Sequence, residues 1–446
     1  MAQRDIPETE LRLPKSATSF PLNLVALGVL IAAIVILRAY DHKLAEKQLH
    51  LPSVKAMLIL MGSLSVPVVL VDLLVLKVHR RPSTGLNWDQ SVAPDMARVG
   101  TKLLGLLATI APIAFVYWVF PEYQGSFYDP LYSTLRSNWL ALVVIAVTYV
   151  WFLDGVMVQP RDAYWQLGRL LLFHPGDVRK AEIANHFRGW LVKAYFFPLM
   201  FVWLHNSVHN IINFDLTGAD WSNLRVYDFL YTTIFGVDLL FTTAGYALSM
   251  KAIDTHIRSA EPTMLGWTVA LFCYEPFFSS IFYKQYVNYD GPGFGNTFEH
   301  MPTLRWIWAA AIIALIAIYS LATVAFGIRF SNLTHRGILT GGPYRLTKHP
   351  AYITKNLSWW LATLPFLQPT LGIAIRHSCG LLFINTIYFL RAKTEEIHLS
   401  RDPDYVAYAL WMNKHGVLAF IGRWIPALAY KAPVREEPPT LPIAAR

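Results

Sequence analysis

Arg336 to Tyr352 reads RGILTGGPYRLTKHPAY, a basic, glycine-containing stretch set between two long apolar runs. It is out of character for its chain, in which 54% of residues are hydrophobic, 15% are charged and mean hydropathy is +0.37. Such a composition predicts an integral membrane protein, where length alone would permit two or three soluble domains. A chain that seeks hydrocarbon keeps a polar segment when that segment handles something polar. Further along, Arg391, Glu395 and Glu396 follow another apolar run and form a second polar set.

Working outward, the apolar runs decide the architecture. A helix needs about twenty apolar residues to cross a bilayer. Ten stretches are candidates: 21–38, 56–76, 103–121, 138–154, 189–208, 227–250, 264–283, 304–328, 356–374 and 378–392. The expected fold is therefore all-α and polytopic, with about ten transmembrane helices. Pro365 and Pro369 in the ninth stretch and the shortness of the tenth also allow a tilted or re-entrant hairpin. Counting Lys and Arg in the loops places both termini in the cytoplasm, because Lys77, Arg80, Arg81, Arg98 and Lys102 crowd one inner loop while several outer loops are nearly bare. The polar opening residues precede an apolar run without a small-residue cleavage site, which reads as a retained first helix. The organisation expected is a multi-span region over 1–329, a site-bearing region over 330–430 and a disordered, proline-rich tail over 431–446.

Several classes are excluded. The net charge of +9 belongs to basic loops and anionic headgroups, since no basic stripe with interleaved aromatics marks a nucleic-acid surface. Cys273 and Cys379 lie in apolar runs and support neither a disulfide framework nor a metal site. His205 and His209 stand four apart on one helix face, but further ligands are lacking; they read as hydrogen-bonded interfacial histidines, and no metal is expected. Asp72, Asp154 and Lys193 are near enough to span ends to snorkel. Asp238 and Glu275 lie deeper, as candidates for pairing or for lining a cleft. The stretch from Trp165 to Phe173, with Arg161, Arg169, Arg179 and Lys180 about it, suits an interfacial helix or an ordinary amphipathic loop. GPGFG at Gly291 to Gly295 reads as a turn.

Within the opening stretch, Gly337, Gly341 and Gly342 permit sharp turns or close backbone approach, and Pro343 sets a turn. Tyr344, His349 and Tyr352 offer aromatic faces and donors, and Pro350 suits the first turn of a helix. Spacing of four puts Arg391 and Glu395 on one helix face, a cation beside a carboxylate. By residue type alone the two sets form either a cofactor site or a surface salt-bridge cluster.

The combination GGPYRLTKHPAY, a hydrophobic hairpin, RAKTEEIHL and then YVAY resembles the isoprenylcysteine carboxyl methyltransferases and their relatives, the membrane phospholipid N-methyltransferases, over about residues 330 to 426. The resemblance implies a helical membrane enzyme that uses S-adenosylmethionine at the cytoplasmic face to methylate a lipophilic acceptor, a carboxylate or amine. It assigns Arg336, Ile338, Leu339, Tyr344, His349, Pro350, Ala351, Tyr352, Glu395 and Glu396 to the cofactor, with Glu395 the better placed of the two glutamates, and Arg391 to the acceptor. Arg336 stands where the carboxyl methyltransferases usually have histidine, Lys348 where arginine is commoner and Thr354 where glycine is usual. Membrane sterol reductases, which use NADPH, resemble the same region and give an alternative; a transporter or lipid-binding scaffold using Asp238 and Glu275 is a third.

Overall fold

The computed structural model describes residues 12–47, 49–89, 91–174, 176, 178–219, 223–280, 287–426 and 428–433. Among them the chain forms fourteen α-helices and one two-stranded sheet. The helices are α1 (Phe20–Ala45), α2 (Ser53–Leu74), α3 (Met96–Val119), α4 (Asp129–Val156), α5 (Ala163–Leu171), α6 (Lys180–Asn213), α7 (Arg225–Ala247), α8 (Met264–Leu271), α9 (Phe294–Thr297), α10 (Pro302–Phe326), α11 (Pro350–Thr363), α12 (Leu371–Leu399), α13 (Pro403–His415) and α14 (Ala419–Trp424). The strands are β1 (Ser259–Ala260) and β2 (Thr334–His335). The all-α expectation holds, and the expected tail over 434–446 lies outside the described residues.

Six stretches, built on α1, α2, α3, α4, α10 and α12, are long and apolar enough to cross a membrane, where the sequence predicts about ten spans. α6, at 34 residues, and α7, at 23, are continuous helices but carry more polar residues. Two predicted spans are not continuous helices. In 264–283, α8 ends after eight residues at Leu271 and turns follow through 276; 281–283 lie outside the described residues. In 356–374, α11 begins earlier, at Pro350, and stops after fourteen residues where Leu364 takes a left-handed φ of 49° ahead of Pro365. At about 21 Å it is shorter than a bilayer's hydrocarbon core of about 30 Å.

The central bundle is packed by Leu30 and Ile34 of α1, Leu60 and Leu64 of α2, Leu204 and Ile211 of α6, Leu240 and Phe241 of α7 and Val324 of α10. Outside it the apolar surface is open. Every residue of α4 from Arg136 to Ile145 is exposed, including Val143, Val144 and Ile145 at 50–59%. An apolar surface of this extent is what a lipid-facing helix presents. Where helices do meet closely, small residues make the contact, as is usual when lipid removes the hydrophobic drive to associate. A Cβ on Gly105 of α3 would stand 1.8 Å from the Tyr164 carbonyl oxygen, and one on Gly168 of α5 would stand 1.9 Å from that of Thr101. The crossed numbering shows α5 running antiparallel along the first half of α3. The glycine pair is what lets the two helices approach so closely.

Two features carry the bundle's order to the segment 329–349. Strand β2 pairs with β1, Ser259 opposite His335. The segment before α1 forms a strap: Ala17 N–H donates to the Ile338 carbonyl at 2.8 Å, Thr340 Oγ1 to that of Pro14 at 2.9 Å and Thr18 Oγ1 to that of Ala325 at 2.7 Å. Gly337 has φ +109°, and a Cβ there would lie 2.5 Å from that of Ala17; one on Gly342 would lie 2.7 Å from the Phe20 ring. Gly337 and Gly342 therefore admit the strap, one of the close approaches or sharp turns that the sequence allows them. GPGFG likewise packs on α11, with Gly291 directly against the Thr363 carbonyl.

Candidate functional site

Segment 329–349, α10, α11, α12 and α13 enclose one cleft with about 1410 Å³ of empty space, its mouth included. On α12 the lining residues Tyr388, Arg391, Glu395 and His398 recur at three and four positions, as one helical face must. From Tyr388 to Leu399 that wall is about 16 Å long.

Of the residues assigned from sequence, Arg336, Ile338, Leu339, Tyr344, His349, Ala351, Tyr352, Arg391 and Glu395 all line the cleft. Pro350 and Glu396 do not. Pro350 sits at the first turn of α11 with its ring buried, supporting the helix start. Glu396 points away from the cleft and is 5% exposed; Lys348 Nζ at 2.5 Å, Lys393 Nζ at 3.0 Å and His349 Nε2 at 3.2 Å surround its carboxylate. One residue of helical rotation, about 100°, separates it from Glu395. It is a buried ion-pair hub, and its contribution to a site is to hold Lys348 and His349 in place.

Glu395 has the opposite surroundings. It accepts from Tyr352 Oη at 2.7 Å and has no cation within ion-pair distance among the described residues. Arg391 donates to Asn332 Oδ1 at 2.6 Å, and its guanidinium carbon stands 5.1 Å from the ring centre of Tyr352, 5.6 Å from that of Tyr274 and 6.0 Å from that of Tyr388. Asn332 is held in turn by Tyr246, whose hydroxyl accepts from both its backbone and side-chain nitrogens. Arg336 is 4% exposed; Nη1 donates to the carbonyls of Gly245 at 2.9 Å and Phe330 at 2.8 Å, while Nε and Nη2 have no hydrogen-bond partner among the described residues. Burial brings its guanidinium down to about 9, which still leaves it charged at neutral pH. Burial also lowers Lys348, against the pull of Glu396, and raises the phenols of Tyr344, Tyr405 and Tyr408, so all of these tyrosines are neutral donors.

Sequence reasoning missed Tyr274, Tyr319, Asn332, Lys355, Tyr388, Tyr405 and Tyr408, all of which line the cleft. Tyr388 and Lys355 were accessible through helical spacing, being three positions from Arg391 and Tyr352. Tyr274 and Tyr319 come from distant elements and carry no local signal. Asp238 accepts from Tyr319 Oη at 3.0 Å and from Thr323 Oγ1 and lies behind these lining residues. Glu275 accepts from Ser279 of its own segment, and His209 Nδ1 meets Ser53 Oγ at 3.1 Å. Comparison with protein-family models, with curated proteins and with solved structures finds no match.

Proposed function

We propose that this protein is an integral membrane S-adenosylmethionine-dependent methyltransferase acting on a lipophilic acceptor at the cytoplasmic face. One observation carries the reading: the two polar segments that resemble the methyltransferases, far apart in the chain, line a single cleft with Glu395 and Arg391 one turn apart on its wall. The residues suit the cofactor's chemistry. Glu395, a carboxylate with no ion-paired cation among the described residues, matches the ammonium of the amino-acid end; Arg336, with Nε and Nη2 unengaged among those residues, matches its carboxylate. The rings of Tyr344 and Tyr352 give faces for a base and for a sulfonium.

S-adenosylmethionine supplies a methyl group on a positively charged sulfur, already activated for attack. The chain's task is then positioning, which can be worth up to about 7–11 kcal/mol when a nucleophile is held in line. Arg391, fixed by Asn332 and three tyrosine rings, orients the accepting group, and the buried walls exclude water. An amine acceptor attacks as its free base, whereas a carboxylate needs no base. Labelled S-adenosylmethionine should bind the purified protein and be lost on Glu395→Ala with the melting temperature kept. Undiminished binding to that variant removes the site assignment.

A second reading, an NADPH-dependent reductase, draws on the cations in the cleft: Arg336, Lys355 and Arg391 form no ion pair with a carboxylate among the described residues. Thermal shift with each cofactor separates the two, since the methyltransferase reading expects stabilisation by S-adenosylmethionine and none by NADPH.

A further inference from the structure

Ser259, Glu261 and His398 form a set that the proposed methyl transfer does not use. Ser259 of β1 and Glu261, two residues on, present the same face of an extended segment, because side chains alternate along a strand. His398, in the last turn of α12, lies against that face. Ser259 Oγ donates to His398 Nε2 at 2.9 Å, and His398 Nδ1 stands 3.6 Å from Glu261 Oε2. The carboxylate is held by its other oxygen, where Oε1 accepts from the Thr263 N–H at 2.9 Å and from Thr263 Oγ1 at 2.5 Å. Gly266 leaves the space for it, since a Cβ there would lie 2.5 Å from Glu261 Cγ and 2.7 Å from Cδ. Asn185 of α6 fixes the strand on both sides of the serine: its Oδ1 accepts from the Ala260 N–H at 3.0 Å and its Nδ2 donates to the Arg258 carbonyl at 3.3 Å. Glu261 and His398 line the cleft and are 3% and 4% exposed, whereas Ser259 is only half-buried.

A carboxylate facing Nδ1 of an imidazole keeps the ring proton there and leaves Nε2 as an acceptor, so a hydroxyl bonded to Nε2 can lose its proton as it attacks. The order of atoms, hydroxyl to Nε2 and Nδ1 to carboxylate, is that of a serine nucleophile, its base and the group that orients the base. A separation of 3.6 Å is long for a hydrogen bond, and catalytic pairs often stand so before a substrate tightens them. A tie between α12 and β1 needs only the serine and the histidine; burying a carboxylate behind them is costly without a further use. We infer that Ser259, His398 and Glu261 form a nucleophilic relay that cleaves an uncharged carboxylic ester through an acyl-serine. Ser259 Oγ forms a bond to the ester carbonyl carbon while its proton passes to His398 Nε2, and the histidine gives that proton to the alkoxide that leaves as the carbon–oxygen bond breaks. Water then attacks the acyl carbon, yielding its proton to His398, which returns it to Ser259 Oγ as the acid departs. Glu261 is the positioning residue. Arg188, one turn from Asn185 on the same face of α6, has a buried Nε with no hydrogen-bond partner among the described residues, a spare donor for the oxyanion of each step. Leu333, Ile338 and Leu399 of the cleft suit an apolar acyl chain, and the charge of Glu261 disfavours a free carboxylate in place of the ester.

The full chain in neutral detergent is treated with a biotinylated alkyl fluorophosphonate, which phosphonylates activated serines, and the modified peptide is located by mass spectrometry; hydrolysis of p-nitrophenyl butyrate is followed in parallel. Ser259 should carry the label, and Ser259→Ala should lose both label and hydrolysis. His398→Ala should slow labelling by about 100-fold or more, as removal of a general base does. Glu261→Gln should slow it as well, and Glu261→Asp should recover part of the rate, which a carboxylate serving the fold alone would not govern. An unlabelled wild-type chain, label kept in Ser259→Ala, or a labelling rate unchanged in His398→Ala each overturns the proposal. Ser259→Ala removes one oxygen atom from a half-buried side chain, so its melting temperature should match that of the wild type, and this pair decides the matter even where His398→Ala fails to fold. Neither readout involves S-adenosylmethionine, so the outcome bears on this site and leaves the methyltransferase reading to its own test.

Discussion

Glu395 and Glu396 are adjacent and identical, yet the fold gives them unrelated work. Glu395 opens on the cleft with a tyrosine hydroxyl for company, while Glu396 is walled in by two lysines and a histidine. Removing the buried anion leaves those cations facing one another without compensation, a loss of roughly 3 kcal/mol for a broken buried pair. Glu396→Gln should therefore lower the melting temperature markedly while the folded fraction keeps S-adenosylmethionine affinity within about twofold, a difference under 0.5 kcal/mol. Chemical denaturation in detergent reads the first effect and ligand titration the second. A large loss of affinity with stability intact would put Glu396 in the site. Adjacency on a helix says that the two side chains diverge; it does not say which of them meets the cleft.

At the scale of elements, the glycines of the opening stretch belong to packing between segments. Gly337 combines a left-handed φ of +109° with the closest approach of the strap, so Gly337→Ala meets both backbone strain and the Ala17 methyl, at a cost of about 1–3 kcal/mol. Adding Ala17→Gly should recover the steric part and leave the φ part, and a double-mutant cycle on thermal unfolding isolates the difference. Gly168 poses the same test between α5 and α3. Gly168→Leu should detach α5, which protection of 163–171 from amide exchange would register as a loss. The motif GGPY was visible as a place needing glycine. That the demand comes from Phe20, more than three hundred positions earlier, was not, because no local rule carries such a distance.

Across the whole molecule, Asp254 ties the regions together. Its carboxylate is fully buried and faces Arg81 from the loop after α2, Arg258 ahead of β1 and Arg329 at the end of α10, with Ser83 Oγ donating at 2.8 Å. Burial raises its pKa, and Arg329, Ser83 and Arg258 outweigh that, so the net shift is downward. A depressed carboxyl stabilises the fold above its unfolded value near 3.9, and the contribution is lost as pH falls through the lower folded value. Asp254→Asn should cost roughly 3 kcal/mol at pH 7, with the gap between variant and wild-type melting temperatures closing below about pH 4. A gap that stays constant with pH would mean that the ionised form is not what holds the hub.

What the sequence determined by itself was the helical, membrane-type class of the fold and the two polar stretches that meet at the cleft. Apolar length and helical period are local properties, so α1, α2, α3, α4, α10 and α12 were legible, as was the Arg391 and Glu395 face of α12. Only the tertiary structure decided that α8 and α11 stop short, that α5 lies along α3, that Glu396 faces away, and that Tyr274, Tyr319 and Lys355 join the cleft. Stops depend on backbone conformations such as that of Leu364, and the cleft depends on which helices pack together. Residues far apart in the chain become neighbours through that packing, and local spacing in the sequence does not record it.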